Sequence, residues 1–175
     1  MLRTSLCQWP ERRQKESQLS DAMVDSLQYT PQIKLEFKID EKDFFMAGES
    51  ASRVKKTLQQ LGLHQDIIKK IAIIIYEAAM NVSIHGNHGM LRIYIDPESI
   101  LIETEDKGEG IPDIELAMQE GYSTASHEVR EMGFGAGMGL PNIKHCSDEI
   151  HVDSMVGVGT KLQAKLYLNK KRHAE

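Results

Sequence analysis

The sequence contains little cysteine and no long apolar run. Two cysteines in 175 residues are too few for the disulfide framework of a small secreted domain. No apolar stretch reaches the roughly 20 residues that a membrane-spanning helix needs, and the first residues carry no apolar core of the kind found in signal peptides. We therefore predict a cytoplasmic protein with no membrane partner.

The chain also lacks an excess of positive charge. Its formal net charge is −5, so no chain-wide basic field attracts nucleic acid or anionic lipid. Hydrophobic residues make up 41% of the sequence and charged residues 27%, as in soluble globular proteins. A chain of 175 residues can bury one core of its own. The sequence predicts one globular domain and no nucleic-acid partner.

The composition divides the chain into three segments. Residues 1–32 are polar and mixed in charge, and we predict a flexible or loosely helical extension there. Residues 33–169 contain the regular apolar patterns of a folded domain. Residues 170–175 form a short basic tail.

Periodic apolar residues predict the elements of the domain. Four apolar residues, the first Ile33 and the last Ile39, alternate with charged residues, which is typical of a half-buried strand. A helix is predicted from Ser50 to Leu61, with Ser50 as its N-cap, and a long helix from His64 to His85, ended by Gly86. Further strands are predicted at Leu91–Ile95, Ser99–Thr104, Ile150–Met155 and Lys161–Leu168, and further helices at Ile114–Glu120 and Leu140–Cys146.

The predicted strands mostly come in pairs joined by short turns. A doubly wound parallel sheet needs crossovers of about a dozen residues, which these pairs lack. The pattern favours an α+β fold: a two-layer α/β sandwich with a mostly antiparallel mixed sheet and helices on one face.

The long helix carries an acidic and amide stripe. Glu77, Asn81 and His85 are spaced four residues apart, so they lie along one face beside the apolar stripe. The Asn81 amide oxygen suits Mg²⁺, and the Glu77 carboxylate can accept a proton or orient a hydroxyl. The alternative is a partly exposed helix edge with ordinary polar residues.

Glycine-rich segments follow the predicted strands. Asp106 can accept a hydrogen bond from the exocyclic amine of adenine, and Gly108 and Gly110 let the backbone approach a flat base. A tight turn is the alternative for that segment alone. In the last hairpin, Thr160 follows Gly157-Val158-Gly159 and can also reach the base, although an ordinary turn has the same pattern.

The segment from Gly121 to Gly139 is long and glycine-punctuated, which indicates a functional loop. Its last part has four alternating glycines, Gly133 to Gly139, before a helix, and such a loop can cradle phosphate at a positive helix end. It is not a P-loop, because no Gly-Lys-Ser/Thr follows, and no β-α-β unit makes it a dinucleotide fingerprint. A merely mobile loop is the alternative.

In this order, the motifs resemble those of the GHKL ATPases: gyrase, the large heat-shock chaperones, histidine kinases and MutL. Glu77-x-x-x-Asn81 is similar to the N box, Asp106-x-Gly108-x-Gly110 to the first glycine box, Gly133 to Gly139 to the second, and Gly159-Thr160 to the final motif. The resemblance covers about residues 33 to 169 and implies the Bergerat ATP-binding fold.

Within that superfamily the chain most resembles the anti-sigma-factor serine/threonine kinases, and in the segment from Gly110 to Thr124 the stressosome switch kinases of the RsbT type. The resemblance implies that Glu77 is the catalytic base, that Asn81 holds Mg²⁺, and that Asp106 and Thr160 read adenine. The residues expected to bind nucleotide are Asn81, His85, Asp106, Gly108, Gly110, Ile111, Gly133, Gly135, Ala136, Gly137, Met138, Gly139, Leu140 and Thr160.

The resemblance also implies the partners: a STAS-domain protein as the phosphorylated substrate, a sigma factor or a serine phosphatase as a further partner, and a second copy of the chain. Arg130 or Lys144 can add positive charge for phosphoryl transfer. One alternative is an ATP-gated binding protein with little catalysis. Another is a detached histidine kinase domain, but its acceptor His127 would then lie after the first glycine box instead of before the domain.

Overall fold

A computed structural model of the chain describes residues 32–169. Apart from residue 32, the predicted extension and the basic tail lie outside the described residues. The described chain forms one five-stranded sheet in the order β1-β2-β3-β5-β4, and every pairing is antiparallel. Its strands are β1 Ile33–Asp40, β2 His88–Ile95, β3 Ser99–Asp106, β4 Glu149–Met155 and β5 Gly159–Tyr167.

The register turns one apolar face of the sheet towards the helices. Phe37 pairs with Leu91, Ile93 with Ile102, and Ile102 with Ala164, and all five side chains are buried. Because neighbouring residues in a strand point to opposite faces, this alternation makes the helix-facing side of the sheet continuous. The predicted strands are therefore confirmed, with ends that differ from the prediction by no more than a few residues.

Three longer helices cover that face: α1 Phe44–Gln60, α2 Gln65–His85 and α5 Gly139–Cys146. Two short helices, α3 Ile114–Ala117 and α4 His127–Glu131, lie in the connection before α5. The core lies between the layers, where Ile71, Ile74 and Ile75 of α2 are fully buried. The predicted α+β two-layer sandwich is confirmed.

The predicted start of α1 is wrong. The helix begins at Phe44, and the Asp43 carboxylate caps it by accepting a hydrogen bond from the Met46 N–H at 3.1 Å. Ser50 lies inside the helix, fully buried, and its hydroxyl donates to the Ala47 carbonyl. The first turns were missed because Gly48 interrupts the helical pattern, yet the buried Ala47 anchors that turn to the core.

Helix α2 agrees with its prediction at both ends. His64 accepts a hydrogen bond from the Asp66 N–H, and Gly86 closes the last turn by donating its N–H to the Val82 carbonyl. A side chain on Gly86 would overlap Val82 and Asp106, so the glycine brings the end of α2 against the end of β3. This packing places the polar end of α2 beside Asp106.

The other face of the sheet has no helix among residues 32–169 and carries a charged network. Glu103 is only 8% exposed because Arg92, Lys161 and Gln163 hold its carboxylate, at 3.1, 3.2 and 2.8 Å. These three donors compensate the charge of the buried carboxylate. No helix in this part of the chain is both long and apolar enough to cross a membrane.

Candidate functional site

A cavity of about 360 Å³ opens between α2, the segment that follows β3, and the chain before α5. Every residue predicted to hold nucleotide lines it except Gly108, and Glu77 lines it too. Residues that are up to 83 positions apart, Glu77 and Thr160, therefore share one site. The size and the mixture of apolar walls with a few polar groups are typical of a small-molecule site.

One end of the cavity is formed by Glu77 and Asn81 of α2. A Cβ added to Gly139 would lie 2.9 Å from the Asn81 Oδ1 atom and 3.5 Å from the Glu77 Oε2 atom, so both oxygens face the start of α5. The Glu77 Oε1 atom accepts a hydrogen bond from the Asn142 amide at 2.7 Å. Within residues 32–169 the Asn81 side chain makes no hydrogen bond, so its amide is available to a ligand.

The other end is built around Asp106, the last residue of β3. Its Oδ1 atom accepts hydrogen bonds from the backbone N–H groups of Gly108 at 2.9 Å and Thr160 at 3.2 Å. Burial raises the pKa of this carboxyl group, and the two N–H donors oppose that shift. With Oδ1 occupied, Oδ2 is the oxygen left to accept a hydrogen bond from a molecule in the cavity.

Ser154 of β4 stabilises the Asp106 end, a role that no motif in the sequence predicts. Its hydroxyl accepts the Ile111 N–H at 2.8 Å and lies 2.8 Å from the Thr160 hydroxyl and 3.1 Å from the Gly159 carbonyl. One side chain thus joins the segment after β3 to the β4–β5 hairpin. Thr160 is positioned as a result.

His85 is the last residue of α2 and lies near Asp106. It is half-buried, and burial lowers its pKa, while the charges of Glu109 and Asp106 oppose that shift. The imidazole is therefore held towards its neutral form. A neutral ring can donate and accept one hydrogen bond each within the cavity.

Gly108 and Gly110 have different roles in the structure. Gly108 lies against the His85 carbonyl, which any side chain there would overlap. Its lack of a side chain allows it to pack against the end of α2, and it does not line the cavity. Gly110 lines the cavity with φ +73°, and a side chain there would overlap the Met155 carbonyl. Both glycines let backbone meet backbone where the segment crosses other elements.

We call residues 121–138 the lid. Its hydrogen bonds are almost all internal: the Gly121 N–H donates to the Gly137 carbonyl at 3.0 Å, and the Arg130 guanidinium donates to the Ser123 carbonyl at 2.7 Å. Gly137 has φ +75°, and a side chain on it would overlap Gly121 and Tyr122. The lid is therefore a self-contained loop whose two ends are drawn together.

One aromatic contact joins the lid to the helical layer. The Phe134 ring, which lines the cavity, packs against Phe44 at the start of α1 with 4.9 Å between ring centroids. The lid also brings Tyr122, Ser123 and Thr124 to the cavity wall, residues that the sequence placed in a functional loop without assigning them a role.

The two predicted sources of positive charge do not line the cavity. Arg130 is exposed and bonds within the lid, and Lys144 is exposed on α5. What faces the cavity at this end is the start of α5, whose N-cap residue Met138 makes no side-chain capping bond. Free N–H groups at a helix start attract anions.

Comparison with known proteins agrees with this geometry. Residues 66–170 match the family model described as histidine kinase-, DNA gyrase B- and HSP90-like ATPase. The chain belongs to this family of ATPases, which confirms the resemblance found in the sequence and indicates that the protein binds ATP.

Two curated relatives indicate which kind of ATPase within the family this chain is. The serine/threonine-protein kinase RsbT of Bacillus subtilis is 32% identical over 73% of this chain and 91% of the kinase. The anti-sigma F factor of Thermoanaerobacter sp. strain X514 is 30% identical over 81% of this chain and 97% of the factor. Within its family the chain is thus a serine/threonine protein kinase of the anti-sigma and switch-kinase type.

A solved structure shares the fold. A chain in the crystal structure of the SiaB-SiaC complex from Pseudomonas aeruginosa superimposes with a TM-score of 0.56 at 13% identity, over 87% of this chain and 99% of that one. At this level of identity the likeness bears on the fold alone.

Proposed function

We propose that the chain transfers the terminal phosphoryl group of ATP to a serine or threonine of a STAS-domain protein, with Glu77 as base and Mg²⁺ held by Asn81. The observation that carries the proposal is the pairing of Glu77 and Asn81, one helical turn apart, with both oxygens facing Gly139 at the start of α5. A carboxylate, an amide that makes no hydrogen bond within residues 32–169 and a helix start that attracts anions meet there.

Each part of the cavity has a task in this proposal. Asp106 accepts a hydrogen bond from the adenine amine through Oδ2, and Thr160 and His85 lie beside the base. The glycines from Gly133 to Gly139 and the N–H groups that begin α5 hold the phosphates. Glu77 accepts the proton of the attacking hydroxyl.

Mg²⁺ fits the donors present. The Asn81 amide oxygen is a hard ligand that faces the phosphate end of the cavity, and Mg²⁺ ordinarily takes one or two protein oxygens together with phosphate oxygens. The ion would neutralise phosphate charge in the transition state.

The substrate is proposed from the relatives. The names of the curated relatives include a serine/threonine kinase and anti-sigma factors, which supports a cytoplasmic partner-switching pathway. In it the chain phosphorylates a STAS-domain antagonist and binds a sigma factor or a serine phosphatase as its other partner. A homodimer is part of the same proposal.

The test is phosphoryl transfer from labelled ATP to a purified STAS-domain protein. We expect one serine or threonine of the partner to be labelled, and Glu77→Gln to reduce the rate by at least about 100-fold, the usual scale for removing a general base. Asp66→Asn, which alters an exposed carboxylate on the same helix, serves as the matched control and should retain the wild-type rate.

Two results would contradict the proposal. Transfer by Glu77→Gln at the wild-type rate would remove Glu77 from the base role. A wild-type protein that binds the partner only in the presence of ATP, and never labels it, would establish the ATP-gated binding protein instead.

A further inference from the structure

The hydrogen bond between Asn142 and Glu77 connects the two helices that flank the phosphate end of the cavity. The Asn142 Nδ2 atom donates to Glu77 Oε1 at 2.7 Å, and both side chains are partly buried. This length is typical of a hydrogen bond to an ionised carboxylate, about twice as strong as one between neutral groups. It is the one side-chain hydrogen bond that Glu77 makes within the described part of the chain.

The bond distinguishes the two oxygens of Glu77. Oε1 is occupied by Asn142, while Oε2 faces Gly139 and the cavity. A carboxylate held by one oxygen keeps a single orientation, so the other oxygen is presented to the cavity in a fixed direction. Without the bond the carboxylate would rotate, and a base that is misplaced by about 1 Å can lose about 100-fold in rate.

Packing between α2 and α5 does not require the Asn142 amide. The apolar contacts of α5 with the core are made by Leu140, Ile143 and Cys146, which are at most 9% exposed. Asn142 is not part of that apolar row, and its side chain is only partly buried. Its contribution is therefore the donated hydrogen bond.

We propose that Asn142 is a positioning residue, which orients Glu77 so that Oε2 accepts the proton of the substrate hydroxyl. The inference rests on the proposed function, since it requires Glu77 to be the base. Asn142 lies in the first turn of α5, directly after the glycine segment. One helix thus presents its N–H groups to the phosphates and holds the base in place.

The experiment compares two variants of similar shape. Asn142→Leu removes the donor and keeps the size of the side chain, and Asn142→Asp keeps the shape but replaces the donor with a second carboxylate. We expect kcat for transfer to the partner to fall about 10- to 100-fold in both, with the Kd of Mg-ATP within about twofold of wild type and the KM for the partner unchanged. His145→Leu, an exposed change on the same helix, should match wild type.

A second comparison separates this inference from the proposed function. If Asn142 acts through Glu77, adding Asn142→Leu to Glu77→Gln should cause no further loss in kcat. Wild-type kcat in both Asn142 variants, beside an inactive Glu77→Gln, would overturn the inference alone. Full transfer by Glu77→Gln would overturn both.

Discussion

At the scale of single residues, Asp106 shows how one carboxylate can serve the fold and a ligand together. Its Oδ1 atom accepts two backbone N–H groups, from Gly108 and Thr160. Those bonds fix the plane of the carboxylate and leave Oδ2 as the oxygen that can accept a hydrogen bond from a ligand. In the proposed function, selection of adenine would then depend on an acceptor that these backbone bonds have already oriented.

Asp106→Asn should change the preferred nucleotide from ATP to inosine triphosphate. Because Oδ1 is held by two donors, the amide oxygen of Asn takes its place and the NH₂ group takes the place of Oδ2. Two donors then face each other when adenine binds, whereas inosine offers an oxygen. We expect the Kd of ATP to rise at least about tenfold, or about 1.4 kcal/mol, and the Kd of inosine triphosphate to fall. Calorimetry with both nucleotides checks this, and an unchanged ATP affinity would refute the role of Asp106.

At the scale of elements, the lid and the segment after β3 are built differently. The segment after β3 is hydrogen-bonded to Ser154 of β4, to Gly157 in the β4–β5 turn and to His85 of α2. Asp106, at the end of β3, is bonded to Thr160 of β5. The lid bonds mainly to itself and contacts α1 through Phe134. The nucleotide site therefore has one end fixed by the sheet and one end made by a loop.

Two lid glycines offer a matched test of that loop. Gly133 and Gly137 have similar angles, φ +86° and +75°, but only at Gly137 would a side chain overlap other backbone. Gly133→Ala should cost about 1–3 kcal/mol of strain, confined to the lid. Gly137→Ala should distort the lid and raise the Kd of Mg-ATP at least tenfold more than Gly133→Ala does, in the same calorimetric measurement.

Because the lid contributes little to the core, the free energy of unfolding measured with urea should differ between the two variants by much less than their ATP affinities do. Equal ATP affinities would show that the contact between Gly137 and Gly121 has no part in nucleotide binding.

The sequence predicted helices and strands well where the apolar periodicity agrees with residues that end such elements. Helix α2 and both hairpins were located correctly, because isoleucines repeat at helical spacing up to Gly86 and apolar residues alternate in the strands. The start of α1 was missed because Gly48 weakens the local pattern, and burial of Ala47 outweighs that weakness only in the folded protein.

The site was predicted in part for a similar reason. Motif residues can be found from their spacing in the sequence, and all but one of the residues predicted to bind nucleotide line the cavity. Asn142 and Ser154 carry no such signal. Their partners Glu77 and Ile111 lie 65 and 43 residues away, and only the packing of α5 on α2 and of β4 on β5 brings each pair together. The glycine pattern of the sequence also predicted Gly108, but in the structure the missing side chain allows close contact with the His85 carbonyl.

At the scale of the whole molecule, ligand binding and stability are linked. A ligand that binds only the folded state adds about 2.7 kcal/mol to the free energy of unfolding at 100 times its Kd. With excess ATP we expect a higher midpoint of thermal unfolding in Mg²⁺ than in EDTA, because in the proposed site Asn81 would hold the ion beside the phosphates. Asn81→Ala should abolish the difference between the two conditions while some stabilisation by ATP remains. An undiminished difference in that variant would place the ion on other ligands.

One end of the cavity is bonded to the sheet and the other is formed by the lid. This difference would determine the order of steps in nucleotide exchange. In the proposed binding mode the purine would meet backbone that is already in place, so adenosine alone should occupy that half of the cavity without rearranging the loop. The triphosphate would lie against the lid, and if the lid has to move before spent nucleotide leaves, that movement can limit turnover, as it does in many enzymes. Residence time of ADP, more than speed of chemistry, would then determine how soon one molecule of this kinase can act on its next partner.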